Sequence, residues 1–161
     1  MRLSKNDIKI PDSDVEFLSL KKCMEDNNYV LLFAESFDQQ YFEIKAAAFA
    51  IDIICRYYKS YKKIPTPVVL DKLIDGCVAE RMKIESRCPS ALEVKNAINV
   101  SKTYEFDDEA FVEKLILEYL KGKATYFAIM GSIDDIQLRK DTSSCITKFR
   151  SIETISLNKN L

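Results

Sequence analysis

Residues 107–136 read DDEAFVEKLILEYLKGKATYFAIMGSIDDI, and this stretch decides the fold. Asp107, Asp108 and Glu109 place negative charge where a helix dipole is positive, so a helix opens there. Phe106 and Phe111 are positioned to staple its first turn. Beyond them, apolar residues recur at helical spacing on two faces. Leu115, Tyr119, Tyr126, Met130 and Ile133 make one stripe; Ile116, Leu120 and Phe127 belong to a second. A surface helix needs a single apolar face of about 100°. Two faces require cover on two sides. Gly122 and Gly131 lie inside the helix, each costing roughly 1 kcal/mol against Ala, and are expected to mark close helix approach.

Downstream, Leu138 to Asp141 reads as a turn. Thr142 to about Ile152 reads as a last helix with Ile146, Phe149 and Ile152 on one side. Together they predict a helical hairpin over 105–155, with a polar tail at 156–161. One face of the long helix packs within the hairpin. The other meets either the rest of the chain or another subunit, and an exposed apolar helical face implies self-association or a partner. Enclosure of both faces in one bundle is the alternative.

Upstream, residues 1–12 read as a flexible arm and 13–104 as a helical head. Ser13 and Glu16 have capping-box spacing and open a helix carrying Val15, Leu18 and Leu20 to about Met24. Asn27-Asn28 is a break, followed by a short helix over Tyr29–Phe37. Asp38 is placed to cap one long helix over Gln39–Lys62, with Ala47, Ile51, Ile54 and Tyr58 at three- and four-residue steps. Pro65-Thr66-Pro67 stops it; Thr66 is a natural N-cap and Pro67 a natural first helical residue. The next helix carries Leu70, Leu73, Ile74, Cys77 and Val78. Ser90 and Glu93 form a second capping box before Leu92, Val94, Ala97 and Ile98.

Composition agrees with an all-α fold. The chain has 161 residues with only Gly 3 and Pro 4, too few turn residues for a sandwich or barrel. Lys+Arg 24 against Asp+Glu 25 gives net charge -1, so phosphate binding could only be local. No apolar run reaches the ~20 residues that span a bilayer. Cysteines at 23, 55, 77, 88 and 145 are odd in number and never spaced C-x-x-C, which reads as five reduced, small core residues in a cytoplasm.

The absence of histidine removes Ser–His and Cys–His nucleophile pairs and most zinc sites. The only Gly-Lys, Gly122-Lys123, lacks the rest of a phosphate loop. The chain is therefore expected to be no enzyme and to need no cofactor. Its sharpest local feature is the run from Arg56 to Lys63. Arg56, Lys59 and Lys63 share one helix face, and Tyr57 and Tyr61 lie beside it. Such a run either stacks and neutralises single-stranded nucleic acid or is a solvated helix end with half-buried tyrosines.

The order of these features resembles the N-terminal domain of DnaB-family replicative helicases, particularly those of T-even-like phages. The resemblance rests on Tyr57-Tyr58-Lys59-Ser60-Tyr61, then Ile64-Pro65-Thr66 with Leu70 and Leu73. After these come the acid-capped helix from Phe111 through Tyr119 to Ala128-Ile129-Met130, and the closing Ile155-Ser156-Leu157. It covers about residues 28–157.

It implies a helical head plus hairpin, assembling as dimers or higher oligomers into a collar that contacts primase or a helicase loader. The motor domain that hydrolyses ATP lies outside this sequence. A stand-alone copy would instead be a decoy that binds the helicase or its loader and blocks replication. The expected partner face is Leu115, Tyr119, Tyr126, Phe127, Met130, Ile133, Ile146 and Phe149. The expected nucleic-acid contact, weak or absent, is Arg56, Tyr57, Lys59, Tyr61 and Lys63. The expected compartment is cytoplasmic, that of the bacterial host if phage-encoded, with no membrane association.

Overall fold

The computed structural model describes residues 9–138 and 143–157. They fold as seven α-helices and one turn of 3-10 helix, with no strand among the described residues. The helices are α1 (Asp12–Glu25), α2 (Asn27–Ser36), α3 (Lys45–Tyr61), α4 (Pro67–Met82), α5 (Ala91–Ser101), α6 (Glu109–Gln137) and α7 (Ser143–Glu153). The fold is all-α, as the glycine-poor, helically patterned sequence implies. No described helix is long and apolar enough to cross a membrane.

Helix α3 is the axis of the head. Between Ala47 and Cys55 it buries Ala47, Ala48, Phe49, Ala50, Ile51, Ile53, Ile54 and Cys55, every residue but Asp52. The alanines let neighbouring helices approach, and α1, α2, α4 and α5 all pack against α3. Phe33, Phe42, Leu18, Leu20 and Ile74 complete the core, each essentially inaccessible to solvent. Full burial of each such side chain is worth about 1.5–3 kcal/mol.

Local chemistry sets the helix boundaries. Thr66 Oγ1 accepts from the Val69 amide, Ser90 Oγ from Glu93, and Asp108 Oδ1 from Phe111. Each satisfies an orphan donor of a first turn. At its far end α3 stops in the left-handed region: Lys62 has φ 59°, and its amide donates to the Tyr58 carbonyl at 2.7 Å.

Five expectations need correction. The Ser13–Glu16 capping box does not form; α1 starts at Asp12 behind Pro11, with no side-chain cap. Glu16 is instead drawn into the core. The break at Asn27-Asn28 falls one residue earlier, because Asp26 accepts from the Asn28 amide and caps α2. The long helix over Gln39–Lys62 is two pieces. Asp38 caps only the turn Gln39–Tyr41, Phe42 inserts into the core, and Ile44 gives its amide proton to Glu16 before α3 begins. Leu92, expected to face inward, is 68% exposed. Of the five cysteines, all free, only Cys23 and Cys55 are core residues; Cys77, Cys88 and Cys145 are partly exposed.

Candidate functional site

Helix α6 belongs to the head for its first half and leaves it in the second. Val112, Ile116 and Leu120 are buried at four-residue steps where α6 crosses α1. The same row continues as Ala124, Ala128 and Ser132, still covered but by small side chains.

Three fasteners hold the helix down along its length. Lys22 Nζ lies 2.6 Å from Glu109 Oε1 at the start of α6. Tyr119 donates its hydroxyl toward Glu16 Oε2, with the Tyr41 carbonyl at the same 3.0 Å. The Phe127 ring stacks on Tyr41, centroids 5.5 Å apart.

Glu16 sits at the centre of the middle fastener and is wholly buried. Burial raises its carboxyl above the ordinary glutamate value. The Ile44 amide, the Tyr119 hydroxyl and the Glu43 backbone pull it down, while the Glu43 charge adds to the rise. Burial and the Glu16 charge push the Tyr119 phenol up. This carboxylate–tyrosine join links α1, the segment before α3, and α6.

Around Phe127 the large side chains of α6 change side. Tyr126, Ile129, Met130, Ile133 and Ile136 fall on one arc of the helix, and each is between 44% and 63% exposed. Leu138 stands exposed at the end of α6, and Ile146 and Phe149 do so on α7. Helix α7 packs against α6. Lys148 Nζ and Ser144 Oγ reach Asp135 of α6 at 3.5 and 3.2 Å. Asp135 thus fastens the hairpin. The predicted turn at 138–141 and the start at Thr142 lie, from residue 139, outside the described residues.

The predicted partner face therefore divides. Tyr126, Met130 and Ile133 are exposed on α6, and Ile146 and Phe149 on α7. Tyr119 and Phe127 turn back to the head through their contacts with Glu16 and Tyr41. Leu115 is half-buried. Ile129, Ile136 and Leu138 belong to the exposed set, and sequence spacing alone did not single them out.

Close approach is not made at the glycines: a Cβ on Gly122 would meet nothing within 4 Å, and one on Gly131 only the end of the Lys148 side chain. After α7 the chain returns to the protein. Ile155 is buried and Leu157 packs on the core, so the polar tail begins later than position 156.

The basic run lies elsewhere, at the end of α3. Arg56 pairs with Asp52 at 2.9 Å. Tyr57 and Tyr61 hold their rings 4.6 Å apart, with Tyr61 exposed. Lys59 and Lys63 are exposed. Burial pushes the Cys55 thiol of this helix up to about 12, with Lys59 one turn on pulling it slightly back. Among the described residues no cluster of three Cys, Asp or Glu is arranged to hold a metal ion.

No protein-family model, no curated protein and no solved structure matches this chain.

Proposed function

We propose that this chain is a non-catalytic protein-interaction module whose hairpin pairs with a second copy of itself. The setting follows from the resemblance: the collar of a phage-type replicative helicase, which assembles a ring and contacts primase or a loader. A decoy that binds such a helicase or its loader is the alternative in the same class.

The observation that carries the reading is the row of half-exposed apolar side chains on the outer half of α6 and on α7. A large side chain presents roughly 150–200 Å². The eight from Tyr126 to Phe149 then expose roughly 600–800 Å², more than the ~300–600 Å² patch of a typical monomer. Two copies face to face would bury about 1,200–1,600 Å², the size of a standard stable interface.

Sedimentation at micromolar concentration tests it. The wild type should associate. Ile133→Glu, at the middle of the row, should raise the dissociation constant at least about 100-fold, because pairing would bury a charge. Since Ile133 is 44% exposed, the fold should not suffer. A wild type that stays monomeric at about 100 µM sinks the self-association reading. Binding to the cognate helicase, with a fall in ring assembly, would favour the decoy.

A second reading gives the Arg56–Lys63 run to single-stranded nucleic acid. It is favoured by Lys59 and Lys63, for which no carboxylate partner is seen among the described residues, beside the exposed Tyr61. Binding of a thymidine oligomer should then fall with salt and vanish in the Lys59→Glu/Lys63→Glu double variant. No binding at low salt removes this reading.

A further inference from the structure

Helices α3 and α4 pack against each other and leave a groove between them. Its main part has a volume of about 710 Å³ and shares the walls Gln39, Phe49, Arg81 and Ile84 with an adjoining hollow of about 530 Å³. Phe49, Leu73, Gly76 and Cys77 form an apolar floor. Gly76 contributes to the opening directly: a Cβ there would meet nothing within 4 Å. At one end Ile84 stands 83% exposed, an aliphatic side chain that nothing in the head covers.

Charge is distributed unevenly around this floor. Arg56 and Lys72 flank one end, and Lys45, Arg81 and Arg87 the other. The acids on the walls are Asp52, Glu80 and Glu85, and each already has a cation: Arg56 at 2.9 Å, Lys83 at 3.0 Å and Arg81 at 2.9 Å. Lys45 donates only to the Phe42 carbonyl, and Lys72 and Arg87 have no carboxylate partner among the described residues. The groove is therefore net positive within a chain whose net charge is -1.

We infer that this groove docks an acidic amphipathic helix from a partner protein. An acidic residue near each end meets the cations, and two or three apolar side chains between them sit on Phe49, Leu73 and Cys77. From Lys72 to Met82, where α4 ends, the wall is about 15 Å long at 1.5 Å per residue, room for nearly three turns of helix. The apolar floor and the three wall carboxylates disfavour a phosphate backbone, which would need cations without interleaved acids. The proposal rests on the reading of this chain as an interaction module. It assigns that module a second surface, separate from the self-pairing hairpin.

The test is selection from a random 15-residue peptide library displayed on phage, against the full chain. Recovered peptides should be rich in Asp and Glu flanking apolar residues three or four apart. Gly76→Leu should fill the floor and weaken the best peptide at least about 10-fold. Lys72→Glu/Arg87→Glu should do the same through charge. Both changes lie on exposed positions, and circular dichroism should match the wild type.

Ile133→Glu should leave peptide affinity unchanged while abolishing self-association, so failure of the groove and failure of the hairpin reading are told apart. Peptides without acidic bias, or peptides that bind Gly76→Leu as well as wild type, overturn the proposal. So does a thymidine oligomer that binds and is lost in the Lys72→Glu/Arg87→Glu variant, since it would give the groove to nucleic acid.

Discussion

Glu16→Gln probes the join between head and hairpin, and counting protons gives its effect. The Ile44 amide donates to Glu16 Oε1 at 2.8 Å. Tyr119 has one hydroxyl proton and two acceptors at 3.0 Å, Glu16 Oε2 and the Tyr41 carbonyl. With Glu16 ionised, the two acceptors compete for that proton and one is left short. With Glu16 protonated, the chain closes: Ile44 donates to Glu16, Glu16 to the Tyr119 oxygen, and Tyr119 to Tyr41. A glutamine closes it identically, its amide nitrogen donating to Tyr119.

A buried polar group left unsatisfied costs about 1–3 kcal/mol, so Glu16→Gln should stabilise the protein by about 1–2 kcal/mol at about pH 8. For a chain of this size that is a rise of about 2–8 °C in Tm. The pH dependence has a definite sign. The folded carboxyl titrates above the unfolded value of 4.5 because burial raises it. Between the two values the folded state holds the extra proton, so wild-type stability falls as pH climbs through that window and then levels off. Below it, wild type and variant converge. The Glu43 charge on the neighbouring segment adds to the rise of the Glu16 carboxyl and deepens the effect.

Urea unfolding followed by far-ultraviolet circular dichroism, at about pH 4, 6 and 8, reads the difference. A variant less stable than wild type at the alkaline end refutes the proton count. An advantage that is the same at all three values refutes it equally.

Other perturbations separate the head from the hairpin. Leu120→Ala removes a wholly buried side chain where α6 crosses the head and should cost about 2–5 kcal/mol, read as a lower urea midpoint. Phe127→Ala breaks the stack on Tyr41. It should speed hydrogen exchange in the second half of α6 while amides in α3 keep their protection. Lys62→Gly should stabilise by about 0.5–1 kcal/mol, since glycine takes the left-handed conformation that Lys62 holds at φ 59° without strain. Gly122→Ala should also stabilise, by about 0.5–1 kcal/mol, because a Cβ there meets nothing; a loss of stability would show that Gly122 is needed for close packing after all.

The sequence made the class and most of the helix order legible, because these are local properties. Thr66, Ser90 and Asp108 cap where their side chains predict, each closing a bond to an amide three residues on. What was not legible came from long-range demand on a single residue. Glu16 has capping-box spacing to Ser13, yet it bonds Ile44 and Tyr119, 28 and 103 positions away. The same bond takes the Ile44 amide and splits the expected long helix into a turn and α3. No local rule prefers a buried carboxylate over a solvated cap; the core that forms around Phe42 decides it.

The hairpin surface was half legible for a related reason. Tyr119 and Phe127 lie near the exposed stripe in helical register, but Glu16 and Tyr41 hold them inward. Read instead along the buried row, the sequence marks the change of role. Val112, Ile116 and Leu120 are large, and Ala124, Ala128 and Ser132 are small.

A helix facing a deep core fills it with large side chains. A helix in close contact with a thin partner such as α7 presents small ones, so that the backbones can approach. The point where the inward row shrinks is therefore where the outward row must supply the apolar bulk, and there Tyr126, Ile129, Met130 and Ile133 begin. Such an exchange has no benefit for an isolated hairpin, whose outer face would be cheaper as lysine and glutamate. It is accounted for when the outer face is itself a packing surface. Enlarging the inner row should test this: Ala128→Leu adds bulk at a buried position of that row and should weaken self-association along with the hairpin, whereas Ile133→Glu should abolish association and leave the Asp135–Lys148 fastening intact.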